Sequence, residues 1–326
     1  MGEERTNFVF ASEIDQQTLA VLQANHGIQD VARDVRSRDN SKMKSVDVYT
    51  WGAPCTCYAP GGKHEGDTTE KGQLIFSGLA YVRAKLPRVF VCEGSHTLTG
   101  VHSGVLEKLI NEANEIRDSN GASVYHVDFK TMRSKAHAVP QDRVRTYLVG
   151  WQKKFSRRIS KFDWPEELPM PAVANFVCPG LPSKLPTDTV AVDNLSRILP
   201  KMANDVVNLR LVNGFVDAYQ SASFGDHWSV DVCPTITRAR AGVGGFFMTK
   251  EWRMMSDVEL ANFQGFPKDR LRWSDLVTEK NRPVTRRQFQ MMLGNAFTVP
   301  VIGRILWKAL MLTKKLDKST PDPWKL

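Results

Sequence analysis

The chain has 326 residues and a formal net charge of +9, because 44 lysine and arginine residues outnumber 35 aspartate and glutamate residues. It is long enough for one large α/β domain and a smaller one, since single hydrophobic cores stop growing at about 250–300 residues. The positive charge favours a polyanionic partner. The sequence contains no apolar run of about 18 residues and no signal-peptide pattern, which argues against a membrane span or secretion. Its five cysteines lack disulfide-framework spacing and indicate free thiols in a reducing compartment.

The first predicted unit is a strand, an acidic residue and a helix. A strand over residues 7–11 is followed by Glu13, and Asp15 is the predicted N-cap of a helix that Gly27 ends. In nucleotide-binding folds, an acid at such a strand end commonly hydrogen-bonds ribose hydroxyls. For Glu13 alone, a solvated carboxylate is the alternative.

The next stretch predicts a strand, a loop, a helix and a second strand. An aromatic and β-branched run at 46–51 stops at glycine and proline, residues 72–85 carry apolar side chains at helical spacing, and an apolar strand at 88–92 leads to Glu93. Parallel strands joined by a crossover helix bring Cys55 and Glu93 to one carboxyl edge of a sheet, where open α/β sheets bind ligands. A thiol and a carboxyl at that edge predict a covalent nucleophile beside an acid.

The composition changes after Val149. Several basic residues fall in one short run without an acid, and prolines then interrupt the chain repeatedly as far as Pro186. The basic run is a candidate phosphate contact, and a solvated face is the alternative. It consists of Lys153, Lys154, Arg157, Arg158 and Lys161.

Short blocks along the chain, taken in order, resemble the cytosine-C5 DNA methyltransferases. They are Ala53-Pro54-Cys55-Thr56, Gly62-Lys63, Lys71-Gly72-Gln73-Leu74, Glu93, Gln141-Asp142-Arg143-Val144-Arg145, Phe263-Gln264-Gly265-Phe266-Pro267 and Gly294-Asn295-Ala296. The resemblance implies an α/β fold with a doubly wound, mostly parallel, Rossmann-like methyltransferase sheet and a small inserted target-recognition domain. It places a catalytic domain at 1–150, the target-recognition region at 151–232, and the return to the catalytic domain at 233–326.

The resemblance also implies the reaction. The chain would be a DNA (cytosine-5-)-methyltransferase that uses S-adenosylmethionine (AdoMet) and acts on a cytosine flipped out of double-stranded DNA. Cys55 would add to ring carbon C6, since a thiolate is a soft nucleophile that is reactive near neutral pH. Glu93 would hydrogen-bond N3 and the amino group while charge develops on the ring. Arg145 would contact the base O2, and Arg143 would brace the site.

The same resemblance assigns further residues to the cofactor and the DNA. The cofactor-binding candidates are Glu13, Ile14, Asp34, Val35, Pro54 and Asn295. Glu13 would hold the ribose, Ile14 would pack on adenine, and Asp34 would meet the adenine amino group. The candidates for substrate or DNA contact are Lys63, Gln141, Arg238 and Arg240. No metal site is predicted, because the Cys-x-Cys pair that begins at Cys55 has no second ligand pair.

One expected segment does not occur in the sequence. The first half of a nucleotide-binding fold opens with a strand and a glycine-rich turn about 20 residues ahead of the acid, whereas twelve residues precede Glu13. That strand would lie between the strands at 7–11 and 46–51, so its loss leaves two inner sheet edges unpaired. We expect a fragment, a second chain or upstream segment that supplies the glycine-rich loop, or a degenerate protein. Thr56 and Gly94 also depart from the glutamine and asparagine of the family.

Two other functions remain open at this point. One is tRNA cytosine-C5 methylation by the same chemistry, and the other is a catalytically impaired DNA-binding relic or regulatory subunit. The expected location follows the substrate: the nucleus in a eukaryote, and otherwise the cytoplasm or nucleoid.

Overall fold

The computed structural model describes residues 6–52, 57–58, 65–156, 158–205, 208–221, 223, 225–267, 271–272 and 284–325. Within these ranges the helices are α1 (Gln16–His26), α2 (Glu70–Lys85), α3 (Ser103–Asn114), α4 (Thr189–Asp205), α5 (Arg238–Ala241), α6 (Asp257–Phe263), α7 (Arg286–Asn295) and α8 (Val299–Leu312). The strands are β1 (Phe10–Ser12), β2 (Asp30–Ala32), β3 (Val48–Gly52), β4 (Val89–Ser95), β5 (Tyr125–Arg133), β6 (Gln141–Asp142), β7 (Val144–Gln152), β8 (Gly214–Val216), β9 (Trp228–Val230), β10 (Cys233–Pro234), β11 (Phe247–Met248) and β12 (Arg253–Met254).

A four-stranded sheet in the order β3-β4-β7-β5 forms the centre of the region predicted to be catalytic. Every residue of β4 is buried, as its unbroken apolar run predicts for a strand covered on both faces. Phe90 and Cys92 pack with residues of α2 and α3 on one side, and Val89 and Val91 pack with residues of α8 on the other. Strand β3 is parallel to β4, but β7 runs antiparallel to both β4 and β5. Helices therefore cover both faces as predicted, while the sheet is mixed rather than mostly parallel.

Strands β1 and β2 form a separate parallel pair. The predicted helix between them is confirmed: the Asp15 side chain accepts a hydrogen bond from Thr18 N, and Gly27 ends the helix with φ of 61°. Among the described residues, β1 pairs only with β2 and β3 only with β4. The two sheets still touch through side chains, with the ring centroids of Phe10 and Tyr49 6.2 Å apart.

Helices α7 and α8 follow the recognition region and return the chain to the central sheet. Thr285 and Gln288 form a capping box at the start of α7. No single helix among the described residues is long and apolar enough to cross a membrane; α7 and α8 meet that test only as a pair, with a 44° bend between them.

The segment predicted to be the target-recognition region contributes to a second sheet with a core of its own. Helix α4 packs on a four-stranded sheet in the order β12-β11-β8-β9. This sheet extends beyond the predicted 151–232. Phe162 packs with Ile305 in the catalytic core, and β11 and β12 lie beyond residue 232 yet belong to the recognition sheet. Proline spacing and basic composition carry no information on which sheet a short strand joins, so they could not indicate that β11 and β12 join this one. The limits of the region at 151 and 232 stay a prediction.

Candidate functional site

The carboxyl ends of β3 and β4 meet at one edge of the central sheet, as predicted. Gly52 lies opposite Glu93 in the parallel register. A Cβ atom on Gly52 would lie 3.6 Å from Glu93 Oε2 and 3.0 Å from Cε1 of Phe297. Glycine at this position therefore lets the carboxyl and the aromatic ring approach the strand end closely. The predicted site residues that fall outside the described residues are Pro54, Cys55 and Lys63.

Two arginines face the Glu93 carboxyl. Arg145 Nε lies 3.2 Å and Arg143 Nη2 lies 3.7 Å from Glu93 Oε1. Glu93 is buried, and no described residue donates a hydrogen bond to its Oε1. Burial raises the pKa of Glu93, and attraction to Arg143 and Arg145 opposes that rise without cancelling it. A carboxyl with a raised pKa keeps its proton to higher pH and is suited to donate it.

Arg143 joins three segments around this carboxyl. Its Nη1 donates to the carbonyl oxygens of Ile236 and Gly294, at 3.1 and 3.3 Å, and its Nη2 donates to that of Ala296 at 3.2 Å. A Cβ atom on Gly294 would lie 2.4 Å from the Thr237 carbonyl oxygen, so glycine is needed for α7 to approach this segment. Arg143 thus holds three backbone carbonyl groups around Glu93, and its bracing role in catalysis stays a prediction.

The cofactor candidates Glu13 and Ile14 follow the carboxyl end of β1. Glu13 Oε1 accepts a hydrogen bond from Asp15 N at 2.8 Å. Ile14 is 63% exposed, although it is a large apolar side chain. Such an exposed side chain beside an acid is suited to pack against an apolar ring.

Asp34 and Val35 follow the carboxyl end of β2, which is parallel to β1. Both Asp34 oxygens accept hydrogen bonds from Arg36, the shortest at 2.6 Å, and the bond from the Arg36 side chain lowers the pKa of Asp34. Next to Arg36, an open groove of about 540 Å³ is lined by both acidic and basic side chains and by Leu74 of α2. This volume is within the range of small-ligand sites, but the groove does not reach Glu93.

Asn295 is the last residue of α7, far along the chain from Asp34 and Val35. Its side chain is exposed, whereas the preceding Gly294 is buried. Two residues later, Phe297 contacts the end of β3. The final sequence block therefore reaches the central site, as the resemblance implies, while a cofactor contact by Asn295 stays a prediction.

The structure does not favour substrate contact by Gln141. Its side chain is fully buried; Nε2 donates to the Phe263 carbonyl oxygen at 2.7 Å, and Oε1 accepts from Ile236 N at 3.0 Å. Gln141 thus holds β6 against the end of α6. These partners are distant in sequence and satisfy the amide, so the structure offers no support for the predicted DNA contact by Gln141.

The two remaining candidates for DNA contact differ from each other. Arg238 is exposed at the start of α5. Arg240 lies 2.7 Å from Asp217 Oδ2 through its Nε, and its Nη1 donates to the Tyr219 carbonyl oxygen at 2.8 Å. Arg240 therefore ties α5 to the recognition region, and Arg238 is the better placed of the two to meet phosphate.

The sequence reasoning missed the ion pair between Arg253 and Glu259. Arg253 donates to both carboxylate oxygens of Glu259, at 2.7 and 2.8 Å, and Glu259 Oε1 also accepts from Cys178 N. Helix α6 is thereby joined to the segment that enters the recognition region. Ser256 and Glu259 form a capping box, and their Ser-x-x-Glu spacing was the available signal.

Sequence comparison finds related proteins over nearly the whole chain. A family profile described as C-5 cytosine-specific DNA methylase matches residues 1–310. The type II methyltransferase M.Bsp6I of Bacillus sp. (strain RFL6) is 28% identical, over 94% of this chain and 92% of that protein. The type II methyltransferase M.HaeII of Haemophilus aegyptius is 26% identical, over 95% of this chain and 89% of that protein.

Solved structures share the fold. The Entamoeba histolytica methyltransferase EhMeth has a TM-score of 0.60 at 12% identity, and the match covers 94% of this chain and 92% of that chain. A mutant of Spodoptera frugiperda DNMT2 has a TM-score of 0.57 at 15% identity, and the match covers 93% of this chain and 92% of that chain. At these identities the likeness establishes the methyltransferase fold alone.

Proposed function

This chain belongs to the family of C-5 cytosine-specific DNA methylases, and we propose that it methylates C5 of a cytosine flipped out of DNA, with Cys55 as nucleophile and Glu93 as acid. The observation that carries this proposal is the buried Glu93 carboxyl, which lies at the end of β4 between two arginines and beside Gly52. Cys55 follows Gly52 by three residues in the sequence.

Glu93 is suited to bind the pyrimidine ring in its protonated form. Burial raises its pKa, which favours the protonated form that would donate to N3 as Cys55 adds to C6. This hydrogen bond withdraws the negative charge that develops on the ring during addition. Arg145, whose Nε is 3.2 Å from Glu93 Oε1, is the residue proposed to contact the base O2.

The four cysteines that the structure describes are poorly suited to act as the nucleophile. Cys57, Cys92 and Cys233 are buried, and burial raises the pKa of the Cys92 and Cys233 thiols well above the usual value. Cys178 lies at the recognition junction, where its backbone bonds to Glu259. These observations support Cys55, because a nucleophilic thiol must ionise and reach its substrate.

AdoMet supplies the methyl group that C5 receives. The described residues fit such a cofactor: an acid and an exposed apolar side chain follow β1, and Asp34 and Val35 follow the parallel strand β2. We assign Glu13 to the ribose, and Ile14 and Val35 to the adenine ring. Asn295 would approach from the end of α7. Because Arg36 already bonds both oxygens of Asp34, that carboxylate would share its acceptor sites with the adenine amino group.

A glycine-rich segment from upstream or from a second chain would complete the cofactor site. The support for this proposal is the split between β1 and β3, which are not paired with each other among the described residues. The bacterial relatives support a cytoplasmic or nucleoid location for the DNA substrate.

The decisive experiment traps the covalent intermediate. Duplex DNA with 5-fluorocytosine in mixed sequence is incubated with the protein and AdoMet, and adducts that survive denaturant are counted. Fluorine at C5 cannot leave as a proton does, so the adduct persists; we expect it with the wild type and with Cys178→Ala, but not with Cys55→Ser. An adduct that persists in Cys55→Ser, or no adduct while DNA and AdoMet both bind, would refute the proposal. Parallel reactions with labelled AdoMet on unmodified DNA and on tRNA identify the substrate.

A further inference from the structure

Arg38, in the loop after β2, connects the two sheets that share no backbone hydrogen bonds. Its Nη1 donates to Ser12 Oγ of β1 at 2.7 Å, and its Nη2 donates to the Tyr49 hydroxyl of β3 at 3.2 Å. Its Nε donates to Asn40 Oδ1 at 2.8 Å, which fixes the guanidinium relative to its own loop. One side chain thus contacts β1, β3 and the segment that follows β2.

Three aromatic rings surround the same guanidinium. Its central carbon lies 5.9 Å from the ring centroid of Phe10, 5.8 Å from that of Tyr49 and 5.3 Å from that of Tyr81. Arg38 is 9% exposed, so water contributes little to its solvation. The planar cation therefore gains its stabilisation from ring faces and directed hydrogen bonds, both of which depend on its position.

The acceptors of Arg38 are all neutral groups. A hydroxyl, a phenol and an amide oxygen receive its hydrogen bonds, and none of the ion pairs found in the described part of the chain includes it. Lysine could not replace this arrangement, because an ammonium group lacks the planar fork that reaches Ser12 and Tyr49 together. The site is thus specific for a guanidinium.

We propose that Arg38 is a positioning residue for cofactor binding, which holds the end of β1 in place relative to β3. Ser12, its partner on β1, is followed directly by Glu13 and Ile14, and Tyr49 is on the strand that ends beside Glu93. Arg38 contacts neither the cytosine nor the reacting atoms in this scheme. It sets the distance between the cofactor edge and the catalytic edge. The inference rests on the proposed function for its catalytic consequence, but its structural part stands without it.

The kinetic test compares Arg38→Met with Arg83→Met, the same substitution at an exposed position on α2. We expect Arg38→Met to raise the KM for AdoMet about 10- to 100-fold while kcat changes less than about threefold, since hydrogen bonds from a charged group are lost but no reacting group is. Arg38→Lys should lie between Arg38→Met and the wild type. The variant Arg38→Ala leaves a cavity that free guanidinium can fill. Millimolar guanidinium should therefore lower the KM of this variant for AdoMet, and should leave the KM of the wild type unchanged. An unchanged KM in Arg38→Met, or equal effects of the two Met substitutions, overturns the proposal.

Amide hydrogen exchange separates failure of this inference from failure of the proposed function. In Arg38→Met, amides of β1 and β2 should exchange faster than in the wild type, while those of β4 and β7 should keep their protection. If the wild type neither binds AdoMet nor methylates DNA, the proposed function fails, and exchange alone then decides whether Arg38 joins the sheets. Uniformly faster exchange in all strands would show general destabilisation and would refute a specific connection. The double variant Ser12→Ala/Arg38→Met should show little more amide exchange than Arg38→Met alone, because both substitutions remove the same contact.

Discussion

Glu93 and Glu259 are both buried beside arginine, yet their pKa values shift in opposite directions. Burial alone raises the pKa of Glu259, but Arg253 bonds both oxygens, and the backbone N–H groups of Ser256 and Cys178 also donate to the carboxylate. Together these donors outweigh burial and hold the pKa of Glu259 below its usual value. Glu259 is therefore a fixed anion at the junction between the recognition and catalytic regions.

The carboxyl of Glu93 has charge nearby but few hydrogen bonds. Arg145 and Arg143 lie 3.2 and 3.7 Å from its Oε1, and no described residue donates a hydrogen bond to that atom. Burial therefore prevails and the pKa rises. The comparison indicates that directed hydrogen bonds, rather than the number of neighbouring arginines, decide the direction in which the pKa of a buried carboxyl shifts.

The largest effect should come from Glu93→Gln. An amide keeps the shape of the side chain but has no acidic proton, so kcat for DNA methylation should fall about 10²- to 10⁴-fold. AdoMet binding, measured by calorimetry, should change little. As a control, Glu166→Gln removes a carboxylate that is 80% exposed and should leave kcat unchanged. Equal activity of Glu93→Gln and wild type would contradict the role proposed for Glu93.

Glu259→Gln should act on stability instead. It leaves Arg253 buried without its counter-ion, and breaking a buried pair typically costs about 3–5 kcal/mol. The expected fall in Tm is roughly 6–20 °C, at about 2–4 °C per kcal/mol. Thermal unfolding followed by circular dichroism checks this, with Glu166→Gln again as the control. At temperatures where the variant stays folded, kcat should be close to that of the wild type. A large loss of kcat there would contradict a purely structural role for Glu259.

The pH dependence of stability should have opposite signs at the two sites. Because the pKa of Glu259 is lowered on folding, its contribution is present above the ordinary value of 4.5 and is lost as the pH falls through the folded pKa. Because the pKa of Glu93 is raised, its contribution is present below 4.5 and is lost as the pH rises through the folded pKa. The measurement is the unfolding free energy of wild type minus each Gln variant, from urea titrations at several pH values. Each slope is limited to about 1.4 kcal/mol per pH unit, and slopes of the same sign would contradict the contrast.

The smallest effect is expected from Ser256→Ala. This change removes the side-chain acceptor of the Glu259 N–H at the start of α6 but keeps the ion pair. Loss of an N-cap typically costs about 1 kcal/mol, and kcat should not change. Ser119→Ala, in an exposed loop, serves as the control in the same urea titrations. A loss as large as that of Glu259→Gln would show that the cap, rather than Arg253, holds the carboxylate.

Local signals in the sequence predicted the elements that build the site. Asp15 and Gly27 delimit α1 as expected, because a cap and a glycine with positive φ act within a few residues of the helix. The predicted strand at 88–92 continues to Ser95, however, since Ser95 pairs with Arg145 across the sheet. Strand length depended here on a partner that is 50 residues away, and no local pattern reports such a partner.

Contacts between distant segments set the limit of prediction for the site residues. The family resemblance named Arg143 and Arg145 as site residues, and both lie beside Glu93 in the structure. The burial of Gln141 was not, because its partner Phe263 lies 122 residues further along the chain. The pairing of Arg240 with Asp217 escaped notice for the same reason. Charged and amide side chains look alike in sequence whether they face a ligand or another part of the fold.

The recognition sheet is assembled from two pieces of chain that the catalytic centre separates. Between β9 and β11 the backbone leaves that sheet, pairs Cys233 with Gln141, and offers the Ile236 carbonyl oxygen to Arg143. A hybrid enzyme that borrows this sheet from a relative would therefore need two grafts, one spanning β8 and β9 and one spanning β11 and β12, with the intervening residues retained from the host. A single crossover at residue 232 would pair β8 and β9 from one protein with β11 and β12 from the other.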